Sequence, residues 1–310
     1  MFNFLGELFT VDGLRLIRGP QISNSSAYNV IAIHGIGDIE AQGLSWTCER
    51  DKDQASWLTS FLPDHIHCYS VMAFNYHCER FDEGISIADL RKLANMLLDQ
   101  LLSLLPKENA GPIVFIAQDI GGLIVKEVLS IAMRCSKYHL VAGNTSLLVF
   151  FNTPHRVSNS RSWESIANWL LIISGRDRSY NTSWIIKTSD TLKRINEAFD
   201  TYKYVYLAIN IYYQQASTCS EPVTDPPMWQ ALDPYSSTMN TPKELRIGRD
   251  APHSELPKFS KDDDETFKLI YERLRQSKGP GITFVSYGYS ALVALYISMD
   301  IPELSPLICS

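Results

Sequence analysis

The sequence is marked by what it lacks: paired cysteines, an excess of positive charge and internal repeats. Its six cysteines are scattered and form no C-x-x-C motif, which favours free thiols in a reducing compartment. Lysine and arginine number 28 against 34 aspartate and glutamate residues, and the net charge of −6 argues against a nucleic-acid-binding surface. The first residues lack a basic segment followed by an apolar one, so we expect no secretory signal.

These absences favour an intracellular, cytoplasmic location, with a membrane, the endoplasmic reticulum or the mitochondrion as alternatives. We expect no nucleic-acid partner, and neither a metal ion nor another cofactor. The chain has 310 residues, of which 45% are hydrophobic, and this is enough for one large α/β domain with a substantial core.

The most informative stretch runs from residue 112 to residue 129 and reads PIVFIAQDIGGLIVKEVL. Residues 113–116 form a β-branched and aromatic run typical of a buried strand, and residues 123–129 carry apolar side chains at helical spacing. Small residues two positions before and two after Asp119 permit the close approach of strand and helix that a sharp turn requires. This is the pattern of the nucleophile elbow of an α/β-hydrolase, with aspartate at the tip in place of serine.

A glycine-containing turn follows another predicted buried strand, residues 29–33. It begins His34-Gly35-Ile36, and in α/β-hydrolases an H-G dipeptide after a central strand opens the loop whose backbone N–H helps to hold an oxyanion. We expect the loop of Gly35 and Ile36, together with the N–H of Ile120, to form an oxyanion hole. The alternative is a strand that ends in an ordinary glycine turn, with His34 as a packing residue.

The alternation of strand and helix patterns predicts an α/β protein with a doubly wound, mostly parallel sheet and helices on both faces. We expect an N-terminal leader at residues 1–28 and an α/β-hydrolase domain at residues 29–276. Within that domain, residues 158–199 become polar and helical and contain tryptophan, which predicts a mobile helical cap over the site.

Residues 277–310 are expected to form an apolar C-terminal tail. Residues 281–299 contain no charged side chain, and a run of that length could just span a bilayer. We favour a helix or strand packed against the domain, or the start of a longer architecture with a partner domain, over membrane association through residues 281–299.

Several short motifs occur in an order that resembles a known family. HGIG is followed by FNY, by AQDIGGLIVK, by FFNTPHR and by a late histidine. This order resembles the serine esterases and lipases of the serine active-site-containing type, especially their fungal versions, which are often the N-terminal domain of larger NLR-like proteins. The resemblance covers roughly residues 10–276. It implies an α/β-hydrolase fold with a Ser-Asp/Glu-His triad that acts on lipid or other ester bonds.

The resemblance also assigns the site by position. The family's nucleophilic serine falls on Asp119, and its catalytic histidine falls on His253. Asp233, at the end of a short predicted strand, is the first choice for the triad acid, and Glu244 is the alternative. The departure at the tip of the elbow affects the chemistry and leaves the predicted fold unchanged.

An aspartate at the tip needs no base to become a nucleophile, but its attack on an ester carbonyl would form a mixed anhydride. Its productive target is an sp³ carbon that carries a leaving group, and water activated at His253 can then hydrolyse the alkyl-enzyme ester. Such chemistry also needs a donor for the leaving group. Four aromatic residues of the predicted cap are candidates by type: Trp163, Trp169, Tyr180 and Trp184.

Three functions therefore stay open. The first is a lipase/esterase-like hydrolase that acts on small-molecule or lipid esters with Asp119 in place of serine. The second is an Asp-nucleophile hydrolase of the epoxide or haloalkane type. The third is a pseudoenzyme, a catalytically inactive hydrolase fold that binds or signals; the plainest alternative to all three is an ordinary α/β domain.

Overall fold

The computed structural model describes residues 12–19, 27–36, 45–47, 56–105, 110–159, 161–176, 182–214, 232–277, 283–286 and 293–296. Seven strands form one sheet in the order β1-β3-β2-β4-β5-β6-β7, with β1 antiparallel to β3 and every other neighbouring pair parallel. The strands are β1 Gly13–Arg18, β2 Tyr28–Ile33, β3 Cys68–Asn75, β4 Ile113–Gln118, β5 Thr145–Phe151, β6 Leu207–Tyr213 and β7 Glu244–Arg249.

Helices cover both faces of this sheet. They are α1 Trp57–Ser60, α2 Leu62–His65, α3 Ile87–Leu104, α4 Ile120–Arg134, α5 His139–Asn144, α6 Trp163–Ile173, α7 Thr182–Asp200 and α8 Glu265–Gln276. Successive side chains of a strand point to opposite faces, and β4 shows the effect: Ile113 and Phe115 join the core cluster that holds α3, α4, α6 and α7. Val114 and Ile116 join the second cluster, with side chains of α1, α2 and α8.

The sheet order, the flanking helices and the sharp turn between β4 and α4 define the α/β-hydrolase fold, and the predicted fold class is confirmed. The central strands are buried on both faces, as their continuous apolar runs require: every residue of β2, β4 and β5 is buried. In such sheets ligands bind beyond the carboxyl ends of the strands, which places the elbow at the expected edge.

Part of the predicted N-terminal leader, residues 1–28, belongs to the sheet. Residues 13–18 form β1, an edge strand of the sheet, and β2 already begins at Tyr28. The strand was not predicted because its apolar residues do not mark a buried face. Leu16 and Ile17, which are neighbours in sequence, are both exposed at this edge of the sheet.

Residues 158–199 are helical in the described part, as predicted, but the two helices differ in their packing. α6 and α7 pack against each other, and α7 also packs along α4 as a flanking helix of the sheet. The α6 side chain Trp169 contacts the predicted catalytic histidine, His253. Mobility of this segment remains a prediction.

The C-terminal tail contains two short strands, β8 Thr283–Ser286 and β9 Val293–Tyr296, which pair antiparallel. The rest of residues 281–299 lies outside the described residues. Among the helices of the described ranges, none is both long enough and apolar enough to cross a membrane.

Candidate active site

Asp119 sits at the tip of a strained turn between β4 and α4. Its φ of 36° lies in the left-handed region, and its side chain caps the first turn of α4. A Cβ at Gly121 would come within 2.5 Å of the backbone oxygen of His34, and one at Gly122 within 2.2 Å of Thr153 Oγ1. The two glycines are therefore required by close packing, as the elbow pattern predicts.

The carboxylate of Asp119 occupies the predicted oxyanion hole. Its Oδ1 accepts hydrogen bonds from the backbone N–H of Ile36, at 2.9 Å, and from the N–H of Ile120. A Cβ at Gly35 would lie 2.0 Å from Asp119 Oδ2, so only glycine leaves room for the carboxylate. The structure thus brings the predicted oxyanion residues together, with one oxygen of Asp119 between their donors and with no exposed surface on Asp119.

His34 anchors the oxyanion loop and is not itself part of the reacting group. Its Nδ1 lies 2.8 Å from the Gly35 oxygen, and its Nε2 accepts from the Tyr76 N–H at 3.2 Å. The Tyr76 ring stacks on the imidazole at 4.1 Å. Burial lowers the pKa of His34, so the ring is a neutral packing residue whose two hydrogen bonds fix the end of β2.

His253 meets Asp119, as the resemblance implies. It lies in the turn that follows β7, and its Nε2 is 3.1 Å from Asp119 Oδ2. The side chain of Gln118 supports the turn by donating to the His253 backbone oxygen at 3.1 Å. The indole of Trp169 stands edge-on to the imidazole, with 5.2 Å between the ring centroids.

Neither predicted triad acid is among the described contacts of His253, and the structure places both carboxylates elsewhere. Asp233 lies in no strand; its Oδ1 accepts from the Ser236 N–H at 3.0 Å and its Oδ2 lies 3.3 Å from Arg161 Nε. Glu244 begins β7, at the end of the strand opposite to the site, where its side chain accepts from Asn210 and from the backbone of the 239–241 turn. Each carboxylate is thus engaged in a local turn.

An asparagine, and neither of the predicted acids, faces Nδ1 of His253. Asn152 follows β5, has a left-handed φ of 45°, and holds its Nδ2 3.2 Å from His253 Nδ1. Its Oδ1 accepts from the Tyr213 N–H of β6 at 3.4 Å. The available signal was its place directly after a central strand, since the carboxyl ends of parallel strands meet at one edge of the sheet.

One of the predicted leaving-group donors lies at this site. Trp169 is 1% exposed, and its indole N–H has no hydrogen-bond partner among the described residues. Trp184 instead donates to the Phe81 oxygen at 2.8 Å, and Tyr180 lies outside the described residues. Trp163 begins α6 and packs at the margin of the core.

A buried lysine ties the helix of the elbow to the loop after β5. Lys126 has no exposed surface; its Nζ donates to the Pro154 oxygen at 2.8 Å and to Asn196 Oδ1 at 2.6 Å. Burial lowers its pKa well below the usual value, and burial also lowers the pKa of neighbouring His155. This cluster holds α4, α7 and the segment that begins at Asn152 in one arrangement.

No protein-family model matches the chain. Protein SERAC1 of Bos taurus is 23% identical over 206 residues, an alignment that covers 61% of this chain and 30% of that protein. The ankyrin repeat domain-containing protein SAT10 of Stachybotrys chartarum is 39% identical over 83 residues, which are 19% of this chain and 4% of that protein. The chain therefore spans less than a third of the length of these curated relatives.

Among solved structures, the monoacylglycerol lipase of Paleococcus ferrophilus is similar in fold. The comparison has a TM-score of 0.47 at 12% identity and covers 86% of this chain and 100% of the lipase chain.

Proposed function

We propose that the chain is a hydrolase of the lipase/esterase-like α/β-hydrolase class in which Asp119 stands in place of the serine and is itself the nucleophile. The observation that carries this proposal is that the two carboxylate oxygens of Asp119 have different partners. Oδ1 is held by two backbone N–H groups, whereas Oδ2 faces His253 at 3.1 Å. One oxygen is thus placed for stabilisation and the other for attack.

The different partners of Oδ1 and Oδ2 suit a two-step hydrolysis. In the first step, Asp119 Oδ2 forms a bond to an sp³ carbon of the substrate, and the leaving group departs with the bonding electron pair. In the second step, water adds to Cγ of the resulting ester. The charge that develops on Oδ1 then lies between the N–H groups of Ile36 and Ile120, where it is stabilised. The proton that the water loses passes through His253 to the departing alkoxide, so collapse releases the alcohol and restores the carboxylate.

Trp169 supports the first step. A leaving halide or alkoxide needs a donor in a site that excludes water, and a buried indole N–H without a partner stands beside His253. Epoxides and haloalkanes are therefore the favoured substrate class. Small-molecule and lipid esters, which the sequence resemblance implies, are the second candidate class of substrate.

A second candidate function is a binding or signalling module without catalysis, alone or as one domain of a longer protein. It is favoured by one observation, the complete burial of Asp119. A carboxylate that satisfies the donors of its own oxyanion hole is a stable resting arrangement, and a substrate must displace its surroundings to reach Oδ2.

The two candidates differ in covalent chemistry. Purified protein is incubated with p-nitrophenyl esters, epoxides and haloalkanes, and intact mass and product release are measured beside Asp119→Asn. That variant keeps the side-chain shape and an acceptor for the backbone donors, but its amide is a poor nucleophile. An alkyl adduct on wild-type Asp119 that is absent from Asp119→Asn supports the proposal. The absence of adduct and product across the whole panel favours the binding module.

A further inference from the structure

We propose that Asn152 is a positioning residue that keeps the proton of His253 on Nε2, and that it thereby makes the covalent intermediate on Asp119 long-lived. The second half of this inference rests on the proposed function, whereas the first half concerns the resting protein alone. Both halves follow from the direction of three consecutive hydrogen bonds.

The first bond fixes the orientation of the Asn152 amide. The backbone N–H of Tyr213 can only donate, and it lies 3.4 Å from the Asn152 oxygen. Turning the amide over would place its NH₂ group against that N–H, donor against donor. The NH₂ group therefore faces His253.

The second and third bonds then fix the tautomer of His253. Because the NH₂ of Asn152 can only donate, Nδ1 at 3.2 Å must be the acceptor and carries no proton. A neutral ring then bears its proton on Nε2, which lies 3.1 Å from the carboxylate acceptor Asp119 Oδ2. The Gln118 amide nitrogen lies 3.4 Å from Nε2, but its shorter contact is its donation to the His253 backbone oxygen. The order of donors and acceptors is thus consistent from Tyr213 to Asp119.

This tautomer is suited to the first chemical step and unsuited to the second. Alkylation of Oδ2 needs no base. Hydrolysis of the alkyl-enzyme ester needs Nε2 to accept a proton from the attacking water, and Nε2 already carries one. Moving that proton to Nδ1, or adding a second one there, would set N–H against the NH₂ of Asn152. We therefore expect one equivalent of rapid reaction followed by slow release.

The test replaces the NH₂ group of Asn152 by a carboxylate oxygen. Asn152→Asp is nearly isosteric, tolerates the left-handed backbone, and offers an acceptor to Nδ1. In the resting variant each ring nitrogen faces a carboxylate, and once Asp119 is alkylated the proton should stay on Nδ1 and leave Nε2 free as a base. Asn152→Gly also suits φ of 45° and removes the amide without adding charge. The ¹⁵N and proton shifts of His253, assigned with His253→Gln, report the tautomer without substrate. Adduct lifetime by intact mass reports the second step.

We expect the wild-type ring to carry a proton on Nε2 alone and the Asn152→Asp ring to carry one on Nδ1 as well, with adduct hydrolysis about 10²–10⁴-fold faster in the variant. Asn152→Gly should populate both tautomers. A proton on Nδ1 in wild type overturns the inference, and so do equal adduct lifetimes in wild type and Asn152→Asp. The expected tautomers without any adduct in either protein would support the positioning role and would refute the proposed function together with the long-lived intermediate.

Discussion

Asp119→Ser alone should create a poor esterase, and Asp119→Ser combined with Asn152→Asp should create a much better one. The single change empties the oxyanion hole, because both backbone donors now hold Asp119 Oδ1. It also removes a carboxylate that would repel a developing oxyanion by about 4 kcal/mol at about 4 Å and an effective dielectric near 20. From the sequence alone, this one change predicts a gain of several powers of ten.

The structure reduces that expectation. A serine hydroxyl must give its proton to Nε2 of the histidine, but the Asn152 amide favours the tautomer in which Nε2 is already protonated. In a serine triad, an amide in place of the orienting carboxylate costs about 10⁴-fold in rate, or about 5 kcal/mol. The double variant should therefore hydrolyse p-nitrophenyl esters about 10³–10⁴-fold faster than Asp119→Ser does. Asn152→Asp alone should not increase the hydrolysis of these ester substrates.

The assay is hydrolysis of p-nitrophenyl acetate and butyrate, with fluorophosphonate labelling of residue 119. Circular dichroism and the melting temperature establish that each variant is folded, and the double variant with His253→Gln added is the matched control without a base. The reasoning is refuted if Asp119→Ser is as active as the double variant. It is equally refuted if a folded double variant neither turns over ester nor takes the label.

Four further outcomes follow from the same contacts. Gly35→Ala should lower the free energy of unfolding by about 1–3 kcal/mol in urea titrations, because its Cβ would meet the Asp119 carboxylate, and adding Asp119→Ala should restore most of the loss. The folded-state pKa of His155 is lowered by burial, so the unfolded chain binds its proton first and stability falls as the pH drops below about 6.5. The loss of stability should grow as the pH falls further, and His155→Phe should show a correspondingly shallower acid dependence of unfolding. Trp169→Phe should slow adduct formation by about 10²-fold with halide or epoxide substrates and leave hydrolysis of a preformed adduct unchanged. Limited proteolysis should cut within residues 158–199 before the elbow strand, and first cleavage in that strand would contradict a mobile cap.

The fold was predictable because its central strands carry continuous apolar runs. Residues 113–116 and 147–151 are uninterrupted apolar runs, which suits parallel strands covered by helices on both sides. Strand β1 was missed because it lacks such a run. It pairs with a neighbour on one side only, and most of its side chains are partly buried or exposed. Its place in the sheet is decided by pairing with β3, which no local pattern reveals.

The same distinction separates the site residues that were predicted from those that were not. Asp119 and Gly35 belong to local turns whose backbone shape restricts the residues that fit, so their neighbours in sequence identify them. The partner of His253 at Nδ1 depends on which strand ends lie side by side. Asp233 had the expected residue type and order along the chain, but its side chain is held in a local turn. Asn152, which directly follows β5, contacts the ring instead.

The donor and acceptor pattern of the site argues for a reversed triad and against simple decay. In a serine triad, the charged carboxylate lies at Nδ1 and the neutral nucleophile lies at Nε2. Here the carboxylate, Asp119, lies at Nε2 and the neutral group, Asn152, lies at Nδ1. A serine changed to aspartate beside an unchanged acid would place the imidazole between two carboxylates, whereas the pair found here presents one negative charge. Because each oxygen and nitrogen of the three side chains meets a partner of the matching type, the two departures compensate each other, and variants of one residue should be interpreted together with the other.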